Sequence, residues 1–492
     1  MAHPHIATKL EYDLDSLCGR LRAAVDAAMQ TFKDRPTRAV VSATADVAVP
    51  WSLIRRLAGT CPTASERMYW CLPSERTCHL ALGAAAVILA DGENRSADVR
   101  RQMHQYGVVL EATDTVGSVV QESRDATAVW FGGMSFDIGE RRSPWVNWPE
   151  AKFVLPHLWI CRTDAGCRVT AMVVIGDGQD VEAQWMGLQR QVQSLTRLNQ
   201  RDADGQRVVQ SHGTTAEPGV DRKQWEWAVA RTAEDIRHGR YEKVVLARYE
   251  LVEGIRKPLS RVLETLEATY PDSQVFAIWN QGQCFLAASP ERLVSVSGSR
   301  VDVDCLAGTI GRGSTPDEDA ALERKLLASA KDRHEHEVVR ACITEQLQAA
   351  RVRSIDYPKQ PLIKKLANVQ HLHTPIVAVR NPEQTVLDLV ERLHPTPAVA
   401  GMPRDQALQV IRQREGMDRG WYAGPVGWMN ARGEGQFAVA LRCALVMEDN
   451  AYLFAGAGIM GDSEPASEWQ ETKMKLRAVQ SALMANNGGV AE

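Results

Sequence analysis

A chain of 492 residues, 45% of them hydrophobic and with a formal net charge of −4, can bury one large core or two to three smaller ones. Its 57 basic and 61 acidic residues are interspersed without a basic tail or stripe, which argues against nucleic acid as a partner. The longest apolar stretch, "LALGAAAVILA" at 80–90, is far too short to span a bilayer, so no membrane partner is expected.

The first residues, "MAHPHIATKLEYDLDSL", lack the charged start and apolar run of a secretory signal. Ten cysteines are scattered along the chain and no two form a CxxC pair. That fits reduced, mostly buried thiols in a cytoplasmic protein better than disulfides or structural zinc. No internal repeat or low-complexity tract is visible in the sequence.

In chain order, "SLCGRLRAAVDAAMQTF" (16–32) reads as helix, and "RAVVSATADVAV" (38–49) and "KFVLPHLWICR" (152–162) as strand-like runs. Residues 199–220 are polar, contain glycine and lack periodicity, so they are expected to link an N-terminal half, 1–198, to a region spanning 221–488. Asp221 is placed to cap a helix reaching about Arg237. Five strands are predicted next: "KVVLARYELV", "VFAIWN", "CFLAAS", "RLVSVS" and "RVDVDCLAG", separated in part by the turn signals "NQGQ" and "SGS". Two helices follow, over about 317–329 and 331–350. The last third reads as a meander of "WYAGPVGWM", "GQFAVALRCALVM" and "AYLFAGAGIM", closed by a helix from about Pro465. Strands in runs followed by helices in runs predict an α+β fold, with large antiparallel sheets flanked by helices.

The stretch "KDRHEHE" (331–337) invites a metal reading. On a helix, residues two apart do not face each other, so His334 and His336 cannot chelate one ion as histidines four apart do. Asp332 and Glu335, three apart, do share a face. The final helix repeats that spacing with Glu468 and Glu471 in "SEWQET". Two such helices could hold a hard divalent cation. Magnesium suits them best, because it keeps several waters and usually takes one or two protein carboxylates. Acidic pairs at this spacing are also common on solvated helix faces, so the metal reading needs corroboration elsewhere in the chain.

Lys243 heads an apolar strand, where a charge guarding an exposed strand is the commoner situation. Glu291 follows Pro290 between two strands, where a turn can aim a carboxylate into a cleft or simply leave it on the surface. "LAGTIGRG" (306–313) and "FAGAGI" (454–459) could bring backbone amides to an anion, or form tight turns. Arg442 is read as lying inside the strand "VALRCALV", where a buried arginine demands a partner, most naturally a bidentate carboxylate. "HPTPAVAG" (394–401) is a stiff proline loop leading into a helix begun by Pro403.

The order and spacing of these segments say more than any one of them. From "KVVLAR" through "SPERL", "LAGT", "KDRHEH", "VQHLHTP", "HPTPAV", "RGWYAGPVGW", "LRCAL", "FAGAGI" and "EWQETKMK", residues 221–488 resemble the chorismate-utilising enzymes, and among them the isochorismate synthases. Upstream, "RMYWCLPSER" and "FGGMSFDIGERRSPW" resemble the N-terminal half of the same family more loosely. The resemblance implies that residues 1–198 contribute a second sheet to one α+β structure and have no separate function. It implies an isomerase that uses magnesium to turn chorismate into isochorismate, for menaquinone, siderophore or salicylate biosynthesis. A monomer without a glutaminase subunit is expected.

Position by position, the resemblance makes Lys243 the base that activates water for attack on C2, and Glu291 the acid that protonates the departing C4 hydroxyl. It gives magnesium to Glu335 and Glu471, with Asp332 and Glu468 supporting through its waters. Arg442 and Tyr422 would clamp the pyruvyl carboxylate, aided by amides around Gly456 and Gly458 and by Lys475. His371 would face the ring, and Gly308 and Thr309 would line the leaving-group side. A lysine titrates near about 10.4 when free, so a base at Lys243 requires burial or a nearby cation. Two departures stand out: Asp332 replaces the glutamate usual in amine-transferring relatives, and Ala400 a common glycine of the proline loop.

Anthranilate and aminodeoxychorismate synthases use ammonia and resemble each other in lacking the lysine at 243. The latter also tend to carry lysine where Ala307 stands. Salicylate synthase shares Lys243, Glu291 and the metal helices but also eliminates pyruvate; "HPTPAV" and "WYAGPVGW" resemble instead the synthases that stop at isochorismate. A non-catalytic chorismate-binding protein would be expected to have lost Lys243, Glu291 or a metal carboxylate, and all are present. The "LLES" segment of tryptophan-regulated relatives is not found.

Overall fold

Strand pairing sorts the chain into two large sheets. The computed structural model describes residues 4–32, 38–59, 66–106, 108–112, 121–122, 128–200, 220–366 and 369–484. The expected linker at 199–220 lies almost wholly outside the described residues, its first two positions closing the helix Val181–Gln200.

The longer sheet has 13 strands. In spatial order they are Gly401–Met402, Lys243–Val252, Asn450–Ile459, Cys443–Met447, Gln283–Ser289, Gln274–Asn280, Arg67–Leu72, Thr77–Leu82, Leu158–Thr163, Gly166–Ile175, Ala39–Asp46, Val108–Glu111 and Gln121–Glu122. The shorter sheet has ten. Nine run Ser354–Asp356, Val369–Val379, Arg300–Gly311, Arg292–Ser297, Gly435–Val439, Pro425–Asn430, Val129–Met134, Ala151–Leu155 and Ala86–Ala90, with Leu362–Lys365 beside Val369–Val379. Among the described strands only Ala39–Asp46 with Val108–Glu111 is a parallel pair. The fold is α+β and antiparallel, as the run of strands and helices predicted.

The two sheets face each other over one core, where Trp428 of the shorter sheet meets His79 of the longer with ring centroids 5.2 Å apart. On its other side the longer sheet packs against the helices Pro4–Phe32, Trp51–Gly59, Leu259–Thr269 and Pro465–Met484 through residues such as Leu17, Leu57, Leu263 and Val479. Covered on both faces, its central strands read as unbroken apolar runs. Gln274–Asn280 and Gln283–Ser289 are buried at every position.

The N-terminal half does not form a sheet of its own. It supplies strands to both sheets and joins the C-terminal half in each: Arg67–Leu72 pairs with Gln274–Asn280, and Val129–Met134 with Pro425–Asn430. No repeat is visible in the sequence, yet the topology repeats. In each half a strand of the longer sheet crosses into the shorter one, Thr77–Leu82 to Ala86–Ala90 and Gln283–Ser289 to Arg292–Ser297. A later strand crosses back, Ala151–Leu155 to Leu158–Thr163 and Gly435–Val439 to Cys443–Met447.

These return crossings correct two expectations. "KFVLPHLWICR" is not one strand but two in different sheets, cornered at Pro156–His157, because proline has no N–H to continue a ladder. "GQFAVALRCALVM" breaks likewise at 440–442, and Arg442 lies at the corner and not inside a strand. Its φ of +49° is incompatible with a pleated strand.

Two predicted helices appear as Pro316–Ala328 and Ala330–Ala349, capped by the hydroxyls of Thr315 and Ser329, which accept from the backbone N–H groups of Glu318 and Asp332. Asp221 precedes the helix Arg222–Arg237 but makes no side-chain capping bond. Among the described residues no helix is long and apolar enough to cross a membrane, and nine cysteines are free thiols.

Candidate active site

The two crossings of the C-terminal half lie side by side, and each carries one of the expected residues at its corner. Glu291 sits in the 290–291 corner and Arg442 in the 440–442 corner. Val439 N–H donates to the Glu291 carbonyl at 3.1 Å, Ala288 N–H to the Arg442 carbonyl at 3.1 Å, and the Ser289 hydroxyl to the Val439 carbonyl at 2.5 Å. A sheet crossing frees these side chains from the alternation of either sheet.

Glu291 is only 6% exposed, so it is no surface turn acid. Burial, with the negative charge of Asp304 adding to it, pushes its carboxyl up to about 8, against the pull of Lys243, Lys364 and Lys475. Asp304 is itself buried and accepts from His373 Nε2 at 3.0 Å and from Arg292 at 3.2 Å, with Lys364 Nζ at 3.6 Å. His373 and Arg292 hold it well below the usual carboxylate range despite its burial. Sequence reading missed this cluster. The available signal was an acid set next to "CLAG" in a strand, where burial calls for cationic partners.

Lys243 begins the strand Lys243–Val252 and is 2% exposed, so it does not guard an open edge. Its ammonium donates to Glu335 Oε1 at 2.5 Å. Burial alone would raise Glu335, but the Lys243 ammonium outweighs it and holds the carboxyl below its ordinary value. On the final helix Lys475 Nζ lies 2.7 Å from Glu471 Oε1 and donates to the Gly456 carbonyl at 2.9 Å. Lys475 therefore engages Glu471 and a backbone oxygen. Glu468 is buried, and desolvation followed by the charge of Glu471 pushes it up to about 7.

Gly456 and Gly458 let these groups converge. A Cβ at Gly456 would stand 2.9 Å from the Tyr422 hydroxyl, and one at Gly458 would stand 3.0 Å from Lys243 Cε and 3.2 Å from Glu335 Oε1. Gly308 lies at a register break between Ala307 and Thr309, with φ +76°. The break sets Thr309 Oγ1 3.0 Å from His371 Nδ1, while His371 Nε2 is buried without a partner among the described residues.

Asp332 Oδ2 accepts from the Ser329 hydroxyl at the start of its own helix. The two histidines of "KDRHEHE" point apart: His334 is exposed, and His336 is buried with Nε2 2.8 Å from Thr374 Oγ1. Among the described residues no three His, Cys, Asp or Glu side chains stand together as a ready metal cage. Glu335 and Glu471 nevertheless suit a hard cation: each holds an ammonium on one carboxylate oxygen, and magnesium needs only one or two such ligands beside its waters.

The Arg442 guanidinium has no hydrogen-bond or ion-pair partner among the described residues, so the bidentate carboxylate that suits it is not supplied by them. Burial lowers its pKa from the ordinary value, opposed chiefly by Glu471 and Tyr422. Tyr422 stacks on Phe454, ring centroids 5.5 Å apart. Behind it lies a buried ion pair that sequence reading also missed, Arg419 with Glu415. Arg419 stands over Phe136 at 4.1 Å and donates to the carbonyls of Val245 and Val399 at 2.8 Å, and Glu415 accepts from Ala247 N–H at 2.8 Å. The pair ties the Tyr422 segment to the Lys243 strand and the proline loop. In that loop Ala400 is fully buried and does not take a positive φ, so alanine is accommodated there.

A family profile described as "Chorismate binding enzyme" matches residues 26–484. The salicylate biosynthesis isochorismate synthase of Pseudomonas aeruginosa is 42% identical over 366 residues, 73% of this chain and 74% of the relative. The isochorismate synthase MenF of Bacillus subtilis is 36% identical over 422 residues, 85% of this chain and 88% of that one. Among solved structures, the menaquinone-specific isochorismate synthase MenF of Escherichia coli superposes with a TM-score of 0.72 at 23% identity, covering 94% of this chain and all of that one. Anthranilate synthase component I of Streptococcus pneumoniae gives 0.62 at 21%, covering 82% and 92%. The structural likenesses carry the fold, while the profile and the sequence relatives carry the kinship: the chain is an enzyme and belongs to the chorismate-binding enzyme family.

Proposed function

We propose that the enzyme converts chorismate to isochorismate by adding water at C2 and releasing the C4 hydroxyl. The names of its sequence relatives support this. The single observation that carries it is that Lys243 and Glu291 are both buried and in electrostatic reach of each other, two groups suited to opposite proton tasks. One proton must leave the attacking water and another must reach the departing hydroxide. Lys243 takes the first as the neutral amine, so on this reading it must first give up the proton it presents to Glu335. Glu291, which keeps its proton to about pH 8, delivers the second. Both protons then exchange with solvent, and the product is an isomer of the substrate.

The substrate is a dianion and needs two cationic anchors. Arg442, unpartnered and beside Tyr422, receives the pyruvyl carboxylate. Glu335 and Glu471 would hold magnesium, with Asp332 and Glu468 supporting through its waters, and when bound the ion supplies charge against the ring carboxylate. His371, Gly308 and Thr309 line the ring. On this reading Lys475 balances Glu471 and reaches the pyruvyl end only by leaving it. Water as nucleophile needs no glutaminase subunit, and the reading places the enzyme in the cytoplasm as a monomer. Its product would enter menaquinone, siderophore or salicylate biosynthesis.

The test is product analysis after incubation of the purified enzyme with chorismate and magnesium. Isochorismate without pyruvate is expected. Salicylate and pyruvate in equal amounts would replace the reading with that of an eliminating synthase. Tight chorismate binding with no turnover would replace it with that of a non-catalytic binder.

A further inference from the structure

Both flanks of the corner that holds Glu291 lead to one acid. On one side Lys364 Nζ donates to the Pro290 carbonyl at 2.9 Å and lies 3.6 Å from Asp304 Oδ2. On the other, Arg292 reaches Asp304 Oδ1 at 3.2 Å, and His373 donates to the same oxygen at 3.0 Å. Asp304 lies on the strand Arg300–Gly311 and is 6% exposed. Its three partners come from three other strands, Arg292–Ser297, Leu362–Lys365 and Val369–Val379. A buried carboxylate is thus clamped between the residue before Glu291 and the residue after it.

We infer that Asp304 is the positioning residue for the acid: through Lys364 and Arg292 it pins the 290–291 corner that holds Glu291. The inference rests on the reading of Glu291 as the acid. The charged groups bearing on Glu291 are Asp304, Lys243 on its strand, Lys364 on the strand Leu362–Lys365 and Lys475 on the final helix, and the neutral thiol of Cys305, next to Asp304 on its strand, also lies within its field. Asp304 is the one negative group of the four. Three ammoniums favour the ionised carboxylate, and burial with Asp304 opposes them. Neutralising Asp304 leaves burial alone to oppose the ammoniums, while removing Lys364 takes one of them away. The two changes must therefore act in opposite directions.

The experiment is the pH dependence of kcat/KM for the whole enzyme with magnesium and chorismate. Asp304→Asn should move the limb on which the acid loses its proton to lower pH by about one unit or more, and Asp304→Glu should bring it back. Lys364→Met should move the same limb to higher pH while lowering kcat, and it carries the test if Asp304→Asn does not fold. If both variants slow the enzyme and leave the limb where it was, Asp304 is structural and the inference is overturned. Glu291→Gln separates the two levels. Full activity in that variant removes the reading of Glu291 as the acid. Loss of activity in Glu291→Gln together with an unmoved limb in Asp304→Asn removes only the role given to Asp304.

Discussion

Replacing Glu291 with glutamine should make the protein more stable in alkaline solution while removing its activity. The side chain keeps its shape but can no longer ionise. In the native state the carboxyl titrates at about 8, against an ordinary value of 4.5. Between those values the native chain holds a proton that the unfolded chain has released, so the wild type loses stability as pH rises through this window. At ~1.4 kcal/mol per pH unit the full effect is on the order of 5 kcal/mol above pH 8, a ceiling because water and polar groups relax around a buried charge. Below pH 4.5 both states are protonated and the contribution vanishes. The assay is urea unfolding of wild type and Glu291→Gln at several values from pH 5 to 9, followed by tryptophan fluorescence. The two midpoints should nearly coincide at pH 5, separate toward pH 8 and level off beyond it, with the variant the more resistant. Parallel curves across the range would mean that Glu291 ionises freely in the native protein, and its assignment as a proton donor would fall with them.

Glu335→Gln or Glu471→Gln should each remove most magnesium-dependent turnover and weaken magnesium binding measured by calorimetry, with the fold intact by circular dichroism; full activity after exhaustive chelation would contradict this. Arg442→Ala should raise KM and lower kcat together, by about 2–5 kcal/mol in kcat/KM, since a desolvated charge contact both binds and orients. A change below about twofold in both constants would make Arg442 structural. Lys243→Gln should abolish isochorismate formation without loss of chorismate binding, and with ammonium salts it should yield an aminated product detectable by mass spectrometry. Hydration of chorismate by that variant at near wild-type rate would put the base elsewhere.

Much of the local structure was legible in the residues. The run Lys243–Val252 is strand from the first residue predicted to the last, and the paired acids Asp332/Glu335 and Glu468/Glu471 lie on helices as their spacing required. Helical period and strand propensity are short-range properties, so a window of ten residues contains the information. The same window excluded chelation by His334 and His336. It also supported the family resemblance, because the order of short motifs survives without any knowledge of what they touch.

Tertiary structure decided where runs break and which partners meet. "GQFAVALRCALVM" is apolar almost throughout, and a strand buried on both faces carries no alternation to mark the sheet to which it belongs. Only the pairing of Gly435–Val439 with Arg292–Ser297, and of Cys443–Met447 with Gln283–Ser289, shows the chain changing sheet at Arg442. The repeated topology of the two halves is hidden for the same reason, since it resides in strand order. The meaning of a charge is equally non-local. Lys243 and Glu291 each read as surface groups in their own segments, and both are buried in the folded chain. Asp304 was silent until Arg292, Lys364 and His373 arrived from three other strands, because the stability of a buried carboxylate depends on partners that no nearby sequence position supplies.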